Sequence, residues 1–474
     1  MAEYAKIFKA YDIRGIVPDQ LDEDAAEVIG AAFARLTGAA SVVTVHDMRA
    51  SSAPLADAFG RGAAAQGADV VSGGLGSTDM LYYASGSLSM AGAMITASHN
   101  PAKYNGIKLC REGARPVGAD TGLAELREMA ESGVPAHDGQ PGTIAPRNLL
   151  AGYAEHLRKL VDLSGIRPLK VAIDAGNGMG GYTVPEVFTG LPLETVPLYF
   201  ELDGSFPHHE ANPIDPANLR DLQHAVTSSG ADIGLAFDGD ADRCFVVDER
   251  GEIVSPSVLT ALIAVRELAR EPGATVIHNL ITSRGVPEII AEHGGVPVRT
   301  RVGHSFIKAE MASTWAIFGG EHSGHFYFRD FWFADSGMLA AMHVLAALGS
   351  QPGPLSALLA EYSRYTASGE INSEVSDPAA VTAAVRESFA SRAGITIDEL
   401  DGLTVTGAGW WFNLRPSNTE PLLRLNVEAP DAAQLATIRD EVLHLVRGDP
   451  AQPGPGQAGH PPAGPRTPTF LETP

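Results

Sequence analysis

Short runs of β-branched residues recur along the chain, each followed by turn residues and then by an Ala/Leu-rich stretch. "SVVTVHDMR" precedes a helix predicted over Ser51 to Ala65. "LKVAIDAGNGMGG" precedes one over Val184 to Thr189, and "ATVIHNLITS" one over Val286 to His293. Strand, turn and helix in alternation predict α/β units with largely parallel sheet. Three such units are expected, over residues 1–148, 149–254 and 255–365. From about residue 366 the pattern changes. "GEINSEV", "GLTVTGAGWWFNLRP" and "PLLRLNVEA" predict strands, interleaved with helices over Pro378 to Arg392 and Asp431 to Val446. That predicts a smaller α+β domain over 366–447. The segment 448–474 is too rich in Pro and Gly to bury a core and is expected to be a disordered tail.

Composition narrows the class. The 474 residues include 34 basic and 57 acidic side chains, a net charge of −23. Such a surface repels nucleic acid and anionic lipid, so neither is an expected partner. It does not exclude an anionic substrate, because a site can gather basic residues locally. No stretch reaches about 18 continuous apolar residues, and "MAEYAKIFKAYDIRG" has no apolar signal core, so a cytoplasmic protein is expected. Cys110 and Cys244 lie in apolar contexts and are read as buried free thiols.

The sequence "ADIGLAFDGDADRCFVVDERGEIV" places Asp238, Asp240 and Asp242 at alternate positions between two apolar runs. Three carboxylates on one turn repel unless something neutralises them. An oxygen-only donor set suits a hard ion such as Mg²⁺. Small Gly239 and Ala241 let the backbone wrap tightly. An EF-hand loop fails at its sixth position, where Arg243 replaces the required Gly. An aspartyl-phosphate phosphatase with a nucleophilic Asp, or a solvated acidic turn, stays open at this point.

Other loops carry chemistry too. "TASHNP" crowds Thr96, Ser98, His99 and Asn100 on a turn, with Lys103 and Lys108 downstream. Ser98 is either a helix or turn cap or a phosphoryl carrier in a locally cationic spot. In the second case it is one more oxygen ligand for the ion. "GEHSGH" offers Glu321, His322, Ser323 and His325, a set suited to sugar hydroxyls or an exposed polar loop. "TRVGHSFIK" supplies Arg301, His304 and Lys308, and "KAYDIRG" supplies Tyr11 and Arg14. In "RPSNTEP", Arg415, Ser417, Asn418 and Thr419 can cradle a phosphate or form a plain turn. These loops lie in different predicted domains, which suggests a central cleft between four domains.

Taken together, "TASHNP", "DGDADR", "GEHSGH" and "RPSNTEP" resemble the four signatures of the α-D-phosphohexomutase family, specifically its bacterial phosphomannomutase/phosphoglucomutase branch, over about residues 5–446. The resemblance implies an α/β, four-domain phosphohexomutase architecture: three similar mixed α/β domains plus a smaller C-terminal α+β domain around a central cleft. It implies that Ser98 is the phosphoserine, that Asp238, Asp240 and Asp242 bind Mg²⁺ with Ser98, and that Arg243 is an active-site arginine. Glu321 and Ser323 then read sugar hydroxyls, His325 closes that motif, and Arg415, Ser417, Asn418 and Thr419 bind phosphate. Tyr11, Arg14, His99, Lys108 and His304 line the cleft, with Lys108 a general acid or base if burial lowers its pKa. The expected activity is phosphomannomutase, interconverting mannose 6-phosphate and mannose 1-phosphate through a phosphoserine and a hexose 1,6-bisphosphate, with action on glucose phosphates. A monomer or homodimer is expected. Two departures stand out: Ile281 where relatives often carry Lys, with Arg284 nearby, and His322 where many carry Met.

Overall fold

The structure, a computed structural model, describes residues 3–416 and 422–448, without the side chains of Asp120 and His304. The expected tail from Asp449 onward lies outside the described residues. The chain forms two compact units, one ending at Thr366 and the other beginning at Ala367.

The first unit holds three sheets built on one plan. In the first, strands Tyr104–Arg111, Ala91–Ile95, Ser41–His46 and Asp69–Leu75 lie side by side. In the second the equivalent order is Cys244–Asp248, Ile233–Phe237, Leu169–Asp174 and Leu193–Leu198. In the third it is Phe326–Phe328, Phe318–Gly320, Thr275–Asn279 and Val296–Thr300. The last three strands of each series run parallel. The first strand is antiparallel to its neighbour in every case. The expectation of largely parallel sheet is therefore corrected to mixed sheet. A short loop suffices to join an antiparallel pair, whereas a parallel crossover needs a helix. The Thr96, Asp238 and Glu321 loops are these short antiparallel connections, each leaving the carboxyl end of a parallel strand.

One apolar core runs through all three segments, joining Val43, Tyr153, Ile173, Leu235, Phe318 and Leu345. The helix Gly337–Gly349 belongs to this core, and its 13 residues are all buried. A helix apolar on every side belongs in such a place. Cys110 and Cys244 are buried free thiols. The helix read over Val184 to Thr189 starts earlier and spans Gly180–Phe188. Its leading glycines serve packing rather than a turn, since a Cβ on Gly181 would lie 2.2 Å from the Phe200 carbonyl oxygen.

The second unit is a five-stranded sheet ordered Thr366–Glu374, Leu422–Ala429, Trp411–Pro416, Leu403–Thr406, Thr396–Asp398. Helices Pro378–Ala390 and Ala432–Arg447 belong to the same unit, and Phe389, Phe412, Val427 and Val442 share its core. The run read as one strand, "GLTVTGAGWWFNLRP", is two. The Gly407 amide donates to the Trp410 carbonyl at 2.9 Å and Gly409 takes φ 84°, which reverses the chain.

Helices Glu23–Thr37 and Ser52–Ala65 cross at glycine contacts. A Cβ on Gly62 would stand 1.8 Å from the Glu27 carbonyl oxygen, and one on Gly30 2.1 Å from that of Phe59. Gly62→Val forces the helices apart and should cost about 1–3 kcal/mol. A thermal melt that matches the wild type would show that the crossing is not tight.

Candidate active site

The three short loops meet in the first unit. Ser98 sits at φ 50°, a left-handed backbone that serine rarely takes. Its amide donates to Thr96 Oγ1 at 2.9 Å. Its hydroxyl, almost fully buried, donates to Asp238 Oδ2 at 2.8 Å and lies 3.2 Å from His99 Nδ1. Asp238 also accepts from Arg243 Nε at 2.9 Å and from the Arg243 amide at 3.2 Å. Asp240 Oδ2 accepts from Thr78 Oγ1 and from Lys108 Nζ, each at 2.6 Å. Lys108 Nζ donates as well to Asp242 Oδ2 at 2.6 Å.

The donor set fits a cation. One carboxylate oxygen from each of Asp238, Asp240 and Asp242 lies within 4.8 Å of the others. Oδ1 of Asp240 and Oδ1 of Asp242 are buried with no hydrogen-bond partner among the described residues. Buried lone pairs left open are costly unless an ion takes them. All donors are hard oxygens, which suits Mg²⁺.

The electrostatics divide the roles. Burial, then the charges of Asp242 and Asp240, push Asp238 up to about 7 against the pull of Arg243. Burial works the same way on Asp240, yet Lys108 holds it below the usual carboxylate range. Burial opposes the charge on Lys108, but Asp240 and Asp242 outweigh it and raise its pKa. The condition set for a basic Lys108, a pKa lowered by burial, is not met: the two carboxylates in contact favour its ammonium form. His99 is brought down to about 2, by burial and then by Arg243 and Arg14. It is thus neutral and adds no charge to the spot, whose cations are Lys108, Arg243 and Arg14. Lys103 is exposed and lies over the Tyr104 ring.

A cavity of about 240 Å³ opens above this floor. Tyr11, Arg14, Ser98, His99, Lys108, Asp242, Arg243, Ser323 and His325 all line it. Arg14 is held by Asp12 at 2.7 Å and donates to the Ala97 carbonyl at 3.2 Å. Glu321 is buried beside the cavity, accepting from Tyr327 at 2.8 Å, Ser323 at 3.3 Å and the Gly303 amide at 3.2 Å. His325 Nδ1 lies 3.0 Å from Asp335 Oδ2. Burial disfavours its charged ring, but Asp242 and Asp335 raise its pKa. Asp335 in turn pairs with buried Lys308 at 2.7 Å. Lys308 lines the cavity, whereas Arg284 pairs with Glu288 at 3.2 Å and stacks on Tyr365, and Ile281 is buried.

His304 begins the helix His304–Thr314, and its side chain is outside the described residues. Arg415 belongs to the second unit, where it pairs with Glu370 at 3.2 Å. Ser417, Asn418 and Thr419 lie outside the described residues. The sequence reading missed Thr78, Tyr327 and Asp335. Only Thr78 left a signal there, a Ser-Thr-Asp run at the start of helix Thr78–Leu88.

Four consecutive segments match phosphoglucomutase/phosphomannomutase alpha/beta/alpha domains I, II and III and the C-terminal domain, over residues 5–133, 151–251, 256–365 and 370–445. The chain is 43% identical over 445 residues to proteins described as phosphohexose mutases in Xanthomonas campestris, covering 93% of this chain and 99% of the relative. It is 39% identical to an Escherichia coli phosphomannomutase, covering 92% and 97%. A crystal structure of a phosphoglucomutase/phosphomannomutase family protein from Burkholderia thailandensis superposes with a TM-score of 0.85 at 32% identity, covering 94% and 99%. The chain belongs to the phosphoglucomutase/phosphomannomutase family, with three α/β/α domains and a C-terminal domain. It is a phosphohexomutase, an enzyme that moves a phosphoryl group between positions of a hexose phosphate.

Thr78 orients Asp240 through its hydroxyl. Partners of this kind, removed, cost metal sites about 10–100-fold in affinity. Thr78→Val should weaken Mn²⁺ binding on that scale in a paramagnetic-resonance titration, and Thr78→Ser should restore it. Identical titrations for all three proteins would remove Thr78 from the site.

Proposed function

We propose that the enzyme is a phosphomannomutase that also accepts glucose phosphates, working through phospho-Ser98 and a bound hexose 1,6-bisphosphate. One observation carries this: the Ser98 hydroxyl, on a strained turn, points at a buried three-carboxylate loop beneath a cation-lined cavity. In the forward step the Ser98 Oγ–P bond breaks and a bond forms from P to a hydroxyl oxygen of the hexose phosphate. The hydroxyl proton leaves to a base, and the departing Ser98 oxygen takes up a proton to become the hydroxyl again. The second phosphate later returns to Ser98, which restores the phosphoenzyme.

Each side chain has a part in this scheme. A divalent ion held by Asp238, Asp240, Asp242 and Ser98 supplies positive charge against the transferring group. Arg243 and Lys108 add charge of their own where oxygen charge builds up. His325, oriented by Asp335, is suited to take the hydroxyl proton and give it back, since Lys108 is held protonated. His99 stays neutral, its Nδ1 accepting from Arg243 at 2.6 Å. Arg14 and Tyr11 line the cavity and are suited to bind substrate phosphate. Glu321 and Ser323 read the 3- and 4-hydroxyls. Those exchange places nearly equivalently when the bisphosphate turns over, so C2 goes unread.

Ser98→Ala should lower kcat by roughly 10³-fold or more, as removal of a covalent nucleophile does elsewhere. Its circular dichroism should match the wild type. Normal turnover would exclude Ser98 as the carrier. With a trace of bisphosphate, kcat/KM for mannose 1-phosphate and glucose 1-phosphate should agree within about tenfold. A site that hydrogen-bonds the 2-hydroxyl would separate them by about 10⁴-fold or more, and that outcome would overturn the dual-sugar reading.

A further inference from the structure

The "HDMRASS" segment has no part in the chemistry above, yet it reaches under the Ser98 loop. The Arg49 side chain is 1% exposed and its ion-pair partner Asp47 is 0% exposed. A guanidinium carries five N–H donors in a fixed fork. In Arg49 all five have acceptors. Nε donates to Asp47 Oδ2 at 3.2 Å. One terminal nitrogen donates to the carbonyls of Pro101 at 3.1 Å and Tyr104 at 3.0 Å. The other donates to those of Ser98 at 2.8 Å and Asn100 at 2.6 Å.

The fork is itself anchored. Asp47 accepts from the Arg49 amide at 3.0 Å and from the Ser52 hydroxyl. Asn105 then donates to Ser51 at 2.8 Å and to Ser52 at 2.9 Å. Phe206 covers the guanidinium at 5.0 Å. On the other side of the loop, a Cβ on Gly239 would stand 2.5 Å from the Ser98 carbonyl oxygen, so the aspartate loop abuts the same carbonyl.

Four of the five acceptors are backbone carbonyls of one turn, and the first belongs to a residue at φ 50°. A turn in a disfavoured conformation persists only where its surroundings over-determine it. We propose that Arg49 is a positioning residue for phosphoryl transfer. Its guanidinium ties together the carbonyls of Ser98, Asn100, Pro101 and Tyr104, holding Ser98 in the left-handed backbone that aims its hydroxyl at Asp238. Arg49 does not line the reaction cavity and acts through Ser98, so this inference rests on Ser98 being the phosphate carrier.

The test is Arg49→Lys, which keeps the charge but has three donors for five acceptors. Misplacement of a reacting group by about 1 Å costs on the order of 10²-fold. The variant should lose kcat on that scale while KM for the hexose phosphate changes less than about threefold. Hydrogen–deuterium exchange should speed up in peptides covering residues 97–105 and remain unchanged in the strand Ile233–Phe237. Wild-type kcat and exchange would overturn the proposal. If Arg49→Lys does not fold, Asp47→Asn carries the same test: faster exchange in 97–105 with lowered kcat supports it, and wild-type behaviour refutes it. Ser98→Ala run alongside separates the two readings. If Ser98 is not the carrier, Ser98→Ala turns over while Arg49→Lys still loosens the loop. If only the Arg49 inference is wrong, Ser98→Ala is inactive while both splint variants exchange and turn over normally.

Discussion

Asp238, Asp240 and Asp242 bring three carboxylates within 4.8 Å of one another in a place closed to water. At an effective dielectric of about 20, two unit charges 4 Å apart repel by about 4 kcal/mol. A folded chain tolerates this only with positive charge and donors close by. They come from outside the loop's own sheet: Lys108 and Thr78 belong to the first α/β segment. Only Arg243 is local. The carboxylates thus draw the first and second segments together, and that junction is where Ser98 meets Asp238. The same carboxylates raise the pKa of Lys108 against its burial, while burial and then the neighbouring arginines lower that of His99.

The repeated sheet plan explains how separate segments converge on one cavity. Each of the three loops follows a parallel strand and returns antiparallel, so each projects from a carboxyl end where ligands of open α/β sheets bind. One buried helix, Gly337–Gly349, packs among them. Its cap Ser336 donates to Asp79 at 2.6 Å, and Asp79 also accepts from Tyr153 at 2.7 Å. That carboxyl, pushed up to about 6 chiefly by burial, ties one residue from each segment to the next.

Much of this was legible in the sequence because function sits on short contiguous loops. Gly and Asp at fixed spacing identify the metal loop, and alternation of apolar runs with Ala/Leu-rich stretches identifies the α/β units. Partners far apart in sequence left little trace. Arg49 looks like a strand end, Asp335 like an isolated turn residue, and Tyr327 like core. Their roles appear only once the sheets place them beside Ser98, His325 and Glu321. The charge on Lys108 is likewise set by partners far away in the chain. Burial alone predicts a lowered pKa, and only the fold shows two carboxylates on its ammonium. In the second unit, the strand run was misread because one Gly-rich turn broke it.

The most direct measurement is the position of the exchangeable phosphate. Enzyme incubated with ³²P-labelled glucose 1,6-bisphosphate, digested and mapped by mass spectrometry should carry the label on Ser98, stable to hydroxylamine and chased off by unlabelled mannose 1-phosphate. A hydroxylamine-labile label on Asp238, or a stable one on any other residue, would contradict the assignment of the serine as carrier and the aspartates as its metal seat.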